Sequence, residues 1–408
     1  MVPNGWNETK LGDVIKHQKG YAFKSESYKK DGIRIIRISD TSRNSIHDKS
    51  PVYLAEDASE SLANYKLRED DIILSTVGSR PHLLDSMVGK AVKLRKQDNG
   101  ALLNQNLVKV SPKPNVITND YLFSMLTKSR FIYFISTLVR GNANQVSITL
   151  AELFSYKFLL PPYDEQRKIA KILSTWDKAI SATERLIDNS KQQKKALMQQ
   201  LLTGKKRLLD ESGKPFEGKW EEVKLKECAT CLDNKRVPLN SSQRQEMQGE
   251  IPYWGANGIV DYVNEHIFDE TIVLLAEDGG YFDEFSHRPI ANISYGKSWV
   301  NNHAHILKAK NNSLNEWLYY SLVHKNILAF INGGTRAKLN KSDMLLIPIN
   351  LPPIAEQTKI VGVLGNADQE ISLLEKQLAD LKQEKKALMQ QLLTGKRRVK
   401  INNKECVA

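Results

Sequence analysis

The sequence predicts an α+β protein in which two globular mixed α/β domains are joined by two long helices. The helices are expected to form an antiparallel coiled coil, and the two halves an internal pseudo-two-fold repeat. Residues 160–205 and 351–396 align without a gap, and 26 of the 46 aligned positions are identical. The unbroken run Lys194–Lys205 recurs as Lys385–Lys396. The distance in sequence between the two copies far exceeds the 20–50 residues of a solenoid repeat. It therefore indicates that a globular domain and its following helix have been duplicated together.

Five segments follow from this repeat. They are a first globular domain (1–159), a central long helix with its linker (160–209), a second globular domain (210–350), a C-terminal long helix (351–399) and a tail (400–408).

Both globular segments mix short strands with one or two helices. β-Branched and apolar runs bounded by turn residues predict strands at Ile33–Ile38, Asp71–Leu74, Leu107–Val110, Thr271–Leu275 and Ala304–Leu307. Helices are expected near Asp120–Tyr133 and Leu314–Phe330.

The duplicated segments carry apolar residues in alternating steps of four and three, which keeps one stripe of a helix facing a partner. The first stripe is Ile169, Leu173, Trp176, Ile180, Thr183, Ile187, Ser190, Lys194, Leu197 and Leu201, and the second is Ile360, Leu364, Ala367, Ile371, Leu374, Leu378, Leu381, Lys385, Leu388 and Leu392. Pro-Pro pairs precede both stripes, and Gly204 and Gly395 follow them as helix stops. Residues 163–203 as one helix would be roughly 60 Å long.

The two stripes are complementary, since Thr183 and Ser190 in the first correspond to Leu374 and Leu381 in the second. This favours pairing within the chain, although heptads of this kind also serve as homodimerisation helices. The identity of the repeated run extends to outward-facing positions. One outer surface present twice indicates two copies of one partner.

The net charge of +12 fits a polyanionic partner such as DNA. Acidic residues exceed basic ones within 210–350, so DNA binding there requires local clusters such as Lys235-Arg236 or Arg336-Ala337-Lys338. Three cysteines are too few for a disulfide framework, and Cys228 and Cys231 lack a second pair at zinc spacing, so no metal is expected. No run of 18 apolar residues and no signal peptide is found, which predicts a cytoplasmic protein without a membrane partner.

Particular motifs carry a family resemblance. The opening Leu160-Pro161-Pro162, followed by Glu165-Gln166 and a long helix, occurs twice. The stretches Lys19–Ser25, Tyr253–Gly258 and Val300–Ala304 are similar to landmarks of target-recognition domains. With these features the chain resembles the DNA-specificity subunit (S subunit) of a type I restriction-modification enzyme, over nearly its whole length.

The resemblance implies two target-recognition domains that read an asymmetric, bipartite double-stranded DNA site for a restriction system used in phage defence. It implies a non-catalytic subunit that docks two modification (methyltransferase) subunits and restriction (ATP-dependent endonuclease) subunits. Adenine methylation would use S-adenosylmethionine, and cleavage would use ATP and Mg, in those partner subunits. No cofactor is expected in this chain.

Reading bases requires bidentate donors and acceptors, which turn-rich stretches supply in both halves. The candidates for DNA contact in the first half are Lys19, Tyr21, Lys24, Ser79, Arg80, His82, Asn142, Asn144 and Gln145. Those in the second half are Lys235, Arg236, Trp254, Asn257, Asp278, Tyr281, Thr335, Arg336 and Lys338.

Two motifs suggest enzymes but lack an essential residue. Leu160-Pro-Pro-Tyr163 resembles the corner of amino-methyltransferases, yet Leu160 cannot accept a hydrogen bond from an amine. Residues 291–298 fit a relaxed phosphate-loop pattern without its first glycine, and no helix is expected after them. His303 and His305 are interpreted as structural. The open alternatives are a coiled-coil adaptor between proteins without sequence-specific DNA binding, and a chain that itself methylates or cleaves DNA.

Overall fold

The computed structural model describes residues 2–43, 45–139, 145–333 and 337–401. The chain divides into two compact units. The first unit contains the residues up to Glu184 together with those from Gln377 onward, and the second unit contains Arg185–Lys376.

Short strands make up most of the first unit. They are β1 (Asn7–Lys10), β2 (Ile15–Lys19), β3 (Ile33–Ile36), β4 (Thr41–Ser42), β5 (Ser45–Ile46), β6 (Val52–Leu54), β7 (Ile72–Ser75), β8 (Val77–Gly78), β9 (Ala91–Lys93), β10 (Leu102–Leu103), β11 (Leu107–Pro112), β12 (Val146–Ser147) and β13 (Lys157–Leu160). Its helices are α1 (Leu11–Val14), α2 (Asn119–Leu126), α3 (Ser129–Leu138), α4 (Leu150–Phe154) and the start of α5 (Tyr163–Leu201).

The second unit repeats this mixture. Its strands are β14 (Glu221–Lys224), β15 (Ala229–Cys231), β16 (Gln248–Gly255), β17 (Gly258–Val263), β18 (Phe268–Asp269), β19 (Ile272–Ala276), β20 (Ala291–Ser294), β21 (Lys297–Val300), β22 (Ala304–Ala309), β23 (Ile331–Asn332), β24 (Lys338–Leu339) and β25 (Pro348–Leu351). Its helices are α6 (Leu225–Cys228), α7 (Ser241–Glu246), α8 (Asn315–Leu322), α9 (Lys341–Met344) and the start of α10 (Ile354–Leu392).

The two units share one sheet plan. In the first unit an antiparallel sheet has the strand order β2-β11-β7-β9, and in the second unit the order β15-β22-β19-β20 is its counterpart. A two-stranded antiparallel ribbon leads into each long helix, β1 with β13 and β14 with β25. The predicted internal repeat is therefore confirmed in the fold as well as in the duplicated segments.

Each sheet packs its apolar face against helices. In the first unit Tyr121, Phe131, Tyr156 and Phe158 are fully buried in one core cluster with strands β7 and β11. In the second unit Leu318 and Leu322 of α8 pack on strands β19 and β22. At about 25 cal/mol per Å² of buried apolar surface, these clusters supply the main driving force for folding each unit.

Both long helices begin and end where the sequence predicts. Helix α5 starts directly after Pro161-Pro162 and α10 directly after Pro352-Pro353, where a missing N–H leaves no helical bond unmade. Gly204 and Gly395 follow the helix ends with φ of +69°, a left-handed conformation that favours glycine. Each helix has 39 residues and a length of about 58 Å.

The stripes on α5 and α10 face one another in antiparallel order within each unit. All predicted stripe residues are buried or half-buried, Thr183 and Ser190 included. In the second unit Lys191 pairs with Glu375 at 2.7 Å and Lys194 pairs with Asp368. In the first unit the repeat-related pairs are Lys382 with Glu184 at 2.8 Å, and Lys385 with Asp177. The predicted antiparallel coiled coil is confirmed.

Two helices differ from the prediction, one because it is divided and the other because it ends early. The segment 120–133 is broken where Lys128 adopts an extended conformation before α3. The helix expected over 314–330 ends at Leu322, and the carbonyl of Val323 accepts instead from Ile290 N–H at 3.0 Å. The strand expected to reach Ile38 stops at Ile36, where Asp40 accepts from the N–H of Arg37 at 2.9 Å and closes a turn.

Candidate nucleic-acid interface

One end of the central sheet in the first unit gathers several loops. Strand β2 ends and β11 begins there, with Lys19 opposite Val108, and β7 ends opposite Leu107. Gly20 N–H donates to the Leu107 carbonyl at 3.0 Å, and Thr76 N–H to the Asn106 carbonyl at 3.0 Å. The loops after β2 and β7 therefore leave the sheet at the same end.

The last residue of β2, Lys19, and the loop after it carry three of the predicted residues, and all are exposed: Lys19, Tyr21 and Lys24. A Cβ at Gly20 would lie 2.0 Å from the Asn104 carbonyl oxygen, so only glycine fits this close approach. The Tyr21 ring lies edge-on to Phe23 and Tyr65, with centroids 5.0 and 5.2 Å apart. In the sequence the exposed Tyr21 thus stands between two exposed lysines.

The loop after β7 carries a second set. Ser79 Oγ accepts from Ser86 Oγ at 2.8 Å, Arg80 is half-buried, and His82 is exposed. Gln145 directly precedes β12, whose Val146 pairs with Gly78. The structure therefore brings Gln145 beside Ser79, whereas Asn142 and Asn144 lie outside the described residues.

Lys90 supports this end of the first unit, although sequence reasoning missed it. Its ammonium donates to the carbonyls of Thr41 at 2.5 Å and Asp85 at 3.0 Å. Burial lowers the pKa of Lys90 to about 8. Lys90 therefore connects the segment at Thr41 with the loop at Asp85, and we interpret its role as structural.

In the second unit the corresponding end of the sheet carries the loops after β15 and β19 and the segment before β22. Strand β19 ends where Ala276 pairs with Ala304, and Leu232 N–H donates to the Ile306 carbonyl at 2.8 Å. Asp278 forms a bridge with Lys338. The structure thus brings Arg236, Asp278 and Lys338 together, as predicted residues from three distant segments.

Arg236 is an anchor within this group. Its guanidinium pairs with Glu277 and donates to the carbonyl of Ala304 at 3.1 Å, while Lys338 lies 3.1 Å from Glu277. Burial acts to raise the pKa of Glu277, but hydrogen bonds from Arg236 and Lys338 outweigh it, so the pKa lies below its ordinary value. Glu277 is therefore held as a carboxylate that orders the two cations.

His305 lies beneath these loops, 1% exposed. Its Nδ1 is 2.7 Å from Asp233 Oδ2 and its Nε2 is 2.8 Å from the Leu339 carbonyl. Both ring nitrogens therefore have polar partners within the core, and the ring is held from two sides. The interpretation of His305 as structural agrees with these contacts.

Cys231, Asp233 and His305 are the one candidate metal cluster among the described residues, with ligand atoms within 4.8 Å of one another. A ligating histidine needs a free ring nitrogen and a ligating cysteine a thiolate. Both nitrogens of His305 are used, and burial raises the pKa of the Cys231 thiol to about 11. These groups fit a hydrogen-bonded core better than a metal site.

Beside this end of the sheet a groove of about 460 Å³ opens next to the hairpin of β16 and β17. Asn257 and Asp278 line it, as do Asn301, Asn302 and His303, which were not among the predicted site residues. Asn257 Nδ2 donates to the Gly279 carbonyl at 2.9 Å. Asn301, Asn302 and His303 lie within the stretch 300–304, which resembles a landmark of target-recognition domains, and that resemblance is the signal in the sequence that points to them.

The remaining predicted residues of the second half are dispersed. Trp254 is half-buried and packs on a small apolar cluster, and its indole N–H is buried with no hydrogen-bond partner among the described residues. The Arg288 guanidinium lies 3.0 Å from the centroid of the Tyr281 ring. Lys235 is exposed at the end of a short 3₁₀ turn, while Thr335 and Arg336 lie outside the described residues.

Comparisons with known proteins agree with this architecture. Residues 3–190 and 217–383 match the type I restriction modification DNA specificity domain. The chain belongs to the family of type I restriction-modification DNA-specificity subunits. The residues that carried the resemblance in the sequence therefore identified the family correctly.

Individual relatives give the same result. A putative type I restriction enzyme specificity subunit of Methanocaldococcus jannaschii is 27% identical over 98% of this chain and 95% of its own length. A putative specificity subunit of Haemophilus influenzae is 40% identical over 37% of this chain, a match spanning 38% of that protein. The crystal structure of a type I S subunit from M. genitalium superposes with a TM-score of 0.63 at 16% identity, covering 97% of both chains, which shows a common fold.

Among the helices that the structure describes, none is long and apolar enough to cross a membrane.

Proposed function

We propose that this chain selects the DNA site of a type I restriction-modification complex, with each unit reading one block of a bipartite, asymmetric sequence. The proposed recognition domains are residues 1–159 and 210–350, and the duplicated helices at 160–209 and 351–399 set the distance between the blocks.

One observation carries the proposal. Each unit has its own sheet of the same plan, and in both units the candidate loops leave the sheet at the corresponding end. The side chains on those loops differ between the units. In the first unit Lys19 ends strand β2 and Tyr21 follows it, whereas in the second unit Arg236 follows strand β15. A common scaffold with different loops suits two modules that bind the same kind of polymer but different sequences.

The chemistry of the loops suits DNA. Amide and imidazole groups such as Asn257, Gln145 and His82 can pair with base edges, while exposed lysines such as Lys19 and Lys24 suit phosphates. Phosphate contacts position a protein on the duplex and base contacts give the specificity. The proposed site residues divide into these two classes.

The repeated helix run suits two copies of one partner, which we propose to be modification subunits. Part of its identity has a packing reason, because Leu201 and Leu392 are buried in the two units. Gln199 and its counterpart Gln390 are exposed, and packing within the chain does not require them to be identical. A docking surface present twice accounts for that identity.

In this assembly the chemistry belongs to the partners. Modification subunits would methylate adenine with S-adenosylmethionine, and restriction subunits would cleave DNA using ATP and Mg. The family match favours DNA specificity over the coiled-coil adaptor alternative.

The test is a genome-wide map of methylated adenines in cells with and without this chain. We expect methylation at one bipartite sequence that disappears when the chain is deleted and returns when it is restored. Methylation that does not depend on the chain would contradict the proposal, and methyl transfer by the purified chain alone would support the enzyme alternative.

A matched pair of variants tests the docking surface. Gln199→Glu and Gln390→Glu should each weaken binding of one modification subunit, and the double variant should abolish binding of both. Gln193→Glu, at an exposed position outside the identical run, is the control. Sedimentation of the purified complex measures the stoichiometry, and an unchanged stoichiometry in the double variant would place docking elsewhere.

A further inference from the structure

His303 occupies an unusual position in the groove of the second unit. Its side chain is 40% exposed, and its Nδ1 lies 2.6 Å from Asp278 Oδ1. Its backbone N–H donates to Asn301 Oδ1 at 2.8 Å, and its carbonyl accepts from Glu277 N–H at 2.9 Å. The main chain and one ring nitrogen are thus fixed before any ligand arrives.

This arrangement determines what the other ring nitrogen offers. The carboxylate of Asp278 can only accept, so Nδ1 carries the proton of this contact, and in that tautomer Nε2 is an acceptor. In the major groove an acceptor matches the exocyclic amino groups of adenine and cytosine. A fixed ring loses little conformational entropy on binding, which makes the contact selective.

We propose that His303 is a base-reading residue of the second half-site, that Asp278 is its positioning residue, and that Nε2 accepts from the amino group of an adenine or a cytosine. The inference rests on the proposed function and assigns one base contact within it.

The surroundings of His303 suit the edge of a base pair. Asn257 lines the same groove, and Ile259 and Val260 on the adjoining hairpin are exposed apolar side chains. Apolar side chains of this kind contact the thymine methyl group, and asparagine pairs with adenine. His305 differs, because both of its nitrogens are already bonded within the core.

The corresponding position of the first unit carries a different group. Asn106 is the residue immediately before β11, and His303 is the residue immediately before β22. An amide in one unit and an imidazole in the other, at matching ends of matching sheets, is what an asymmetric pair of half-sites requires.

The test uses the full-length chain assembled with its modification subunit, and maps methylated adenines for wild type, His303→Ala and His303→Phe. The phenylalanine variant keeps a flat ring without the acceptor, so it remains informative if the alanine variant folds poorly. In both variants we expect the preference for the correct base at one adenine or cytosine position of the second block to fall about tenfold. The first block and the spacer should not change.

Two further variants separate positioning from packing. Asp278→Asn keeps an acceptor for Nδ1–H, so it should preserve the preferred base and reduce its selectivity by a smaller factor. His287→Ala removes an exposed histidine outside the groove and should leave the methylated sequence unchanged.

Three results would overturn the inference. One is an unchanged second block in folded His303 variants, and another is an equal loss of methylation at every sequence, which indicates a phosphate contact. The third is a wild-type chain that directs no bipartite methylation, which refutes the proposed function and this inference with it. The first two results leave the proposed function standing.

Discussion

At the scale of single residues, the repeated Glu-Gln pair has a structural explanation. Gln166 Oε1 accepts from Thr118 N–H at 2.9 Å, and Gln357 Oε1 accepts from Leu314 N–H at 3.1 Å. The two glutamines therefore tie the start of each long helix to the helix of the adjoining sheet domain.

The glutamates close the same junctions. Glu165 accepts from the Trp6 indole at 3.3 Å and from Arg398 Nε at 2.9 Å. Glu356 accepts from the Trp220 indole at 2.9 Å and from Arg207 Nε at 2.6 Å. The sequence showed Glu165 and Glu356 only as negative charges near a helix start. Their partners are distant in the chain, and only the fold identifies them.

Lys128 allows a prediction about pH. It is 7% exposed, and burial, reinforced by the positive charge of Arg130, lowers the pKa of Lys128 from 10.5 to about 7. Between these two values the unfolded chain binds more protons than the folded chain, so stability rises with pH over this window.

We therefore expect Lys128→Met to stabilise the protein by about 1–2 kcal/mol near pH 7 and to flatten the rise in stability between pH 7 and 10. Thermal unfolding at a series of pH values measures both effects. Lys157→Met, at an exposed position of the same unit, is the control. An equal pH dependence in wild type and Lys128→Met would show that the buried ammonium is not the cause.

At the scale of elements, the coiled coil is predictable because its periodicity is local. Steps of four and three are visible in either helix alone, and the stripe residues are buried or half-buried as expected. The partners of Lys194 and Lys385 are not visible in this way. Lys194 pairs with Asp368, which also accepts from the Tyr320 hydroxyl at 2.8 Å, and its ammonium lies 5.4 Å from the Tyr320 ring.

This difference between the repeats predicts unequal effects. Lys194→Ala should destabilise the protein by about 1–2 kcal/mol, because a charge-assisted bond and a cation–π contact are both lost. Lys385→Ala should cost about 0.5–1 kcal/mol, since it loses the pair with Asp177 but no contact with a corresponding tyrosine is found among the described residues. Chemical denaturation of the two variants measures the difference, and equal losses would show that Tyr320 contributes nothing.

At the scale of the whole molecule, the helices are expected to act as a ruler. Four residues add about 6 Å to a helix and close to one full turn, so a four-residue duplication on the stripe preserves the facing surfaces. We expect such a duplication to lengthen the preferred DNA spacer by about one or two base pairs.

Mapping methylated adenines in cells carrying the duplicated variant measures the spacer directly. A two-residue insertion is the matched control, because it rotates the stripe by about 200° and should abolish methylation rather than extend the spacer. If the variant with four duplicated residues methylates sites with the original spacer, the helices do not set the distance between the two blocks.

The amino-acid sequence by itself determined the duplication, the long helices with their ends, the antiparallel pairing and the family. These properties follow from local periodicity, from proline and glycine, and from motifs that survive in both halves. Only the tertiary structure decided which loop residues meet, because strand order brings together segments far apart in the chain. It showed that Arg236 pairs with Glu277 within the protein, and it placed His303 in the groove with its ring in contact with Asp278. Hydrogen bonding and burial distinguish these roles, and both depend on neighbours that no single segment of sequence contains.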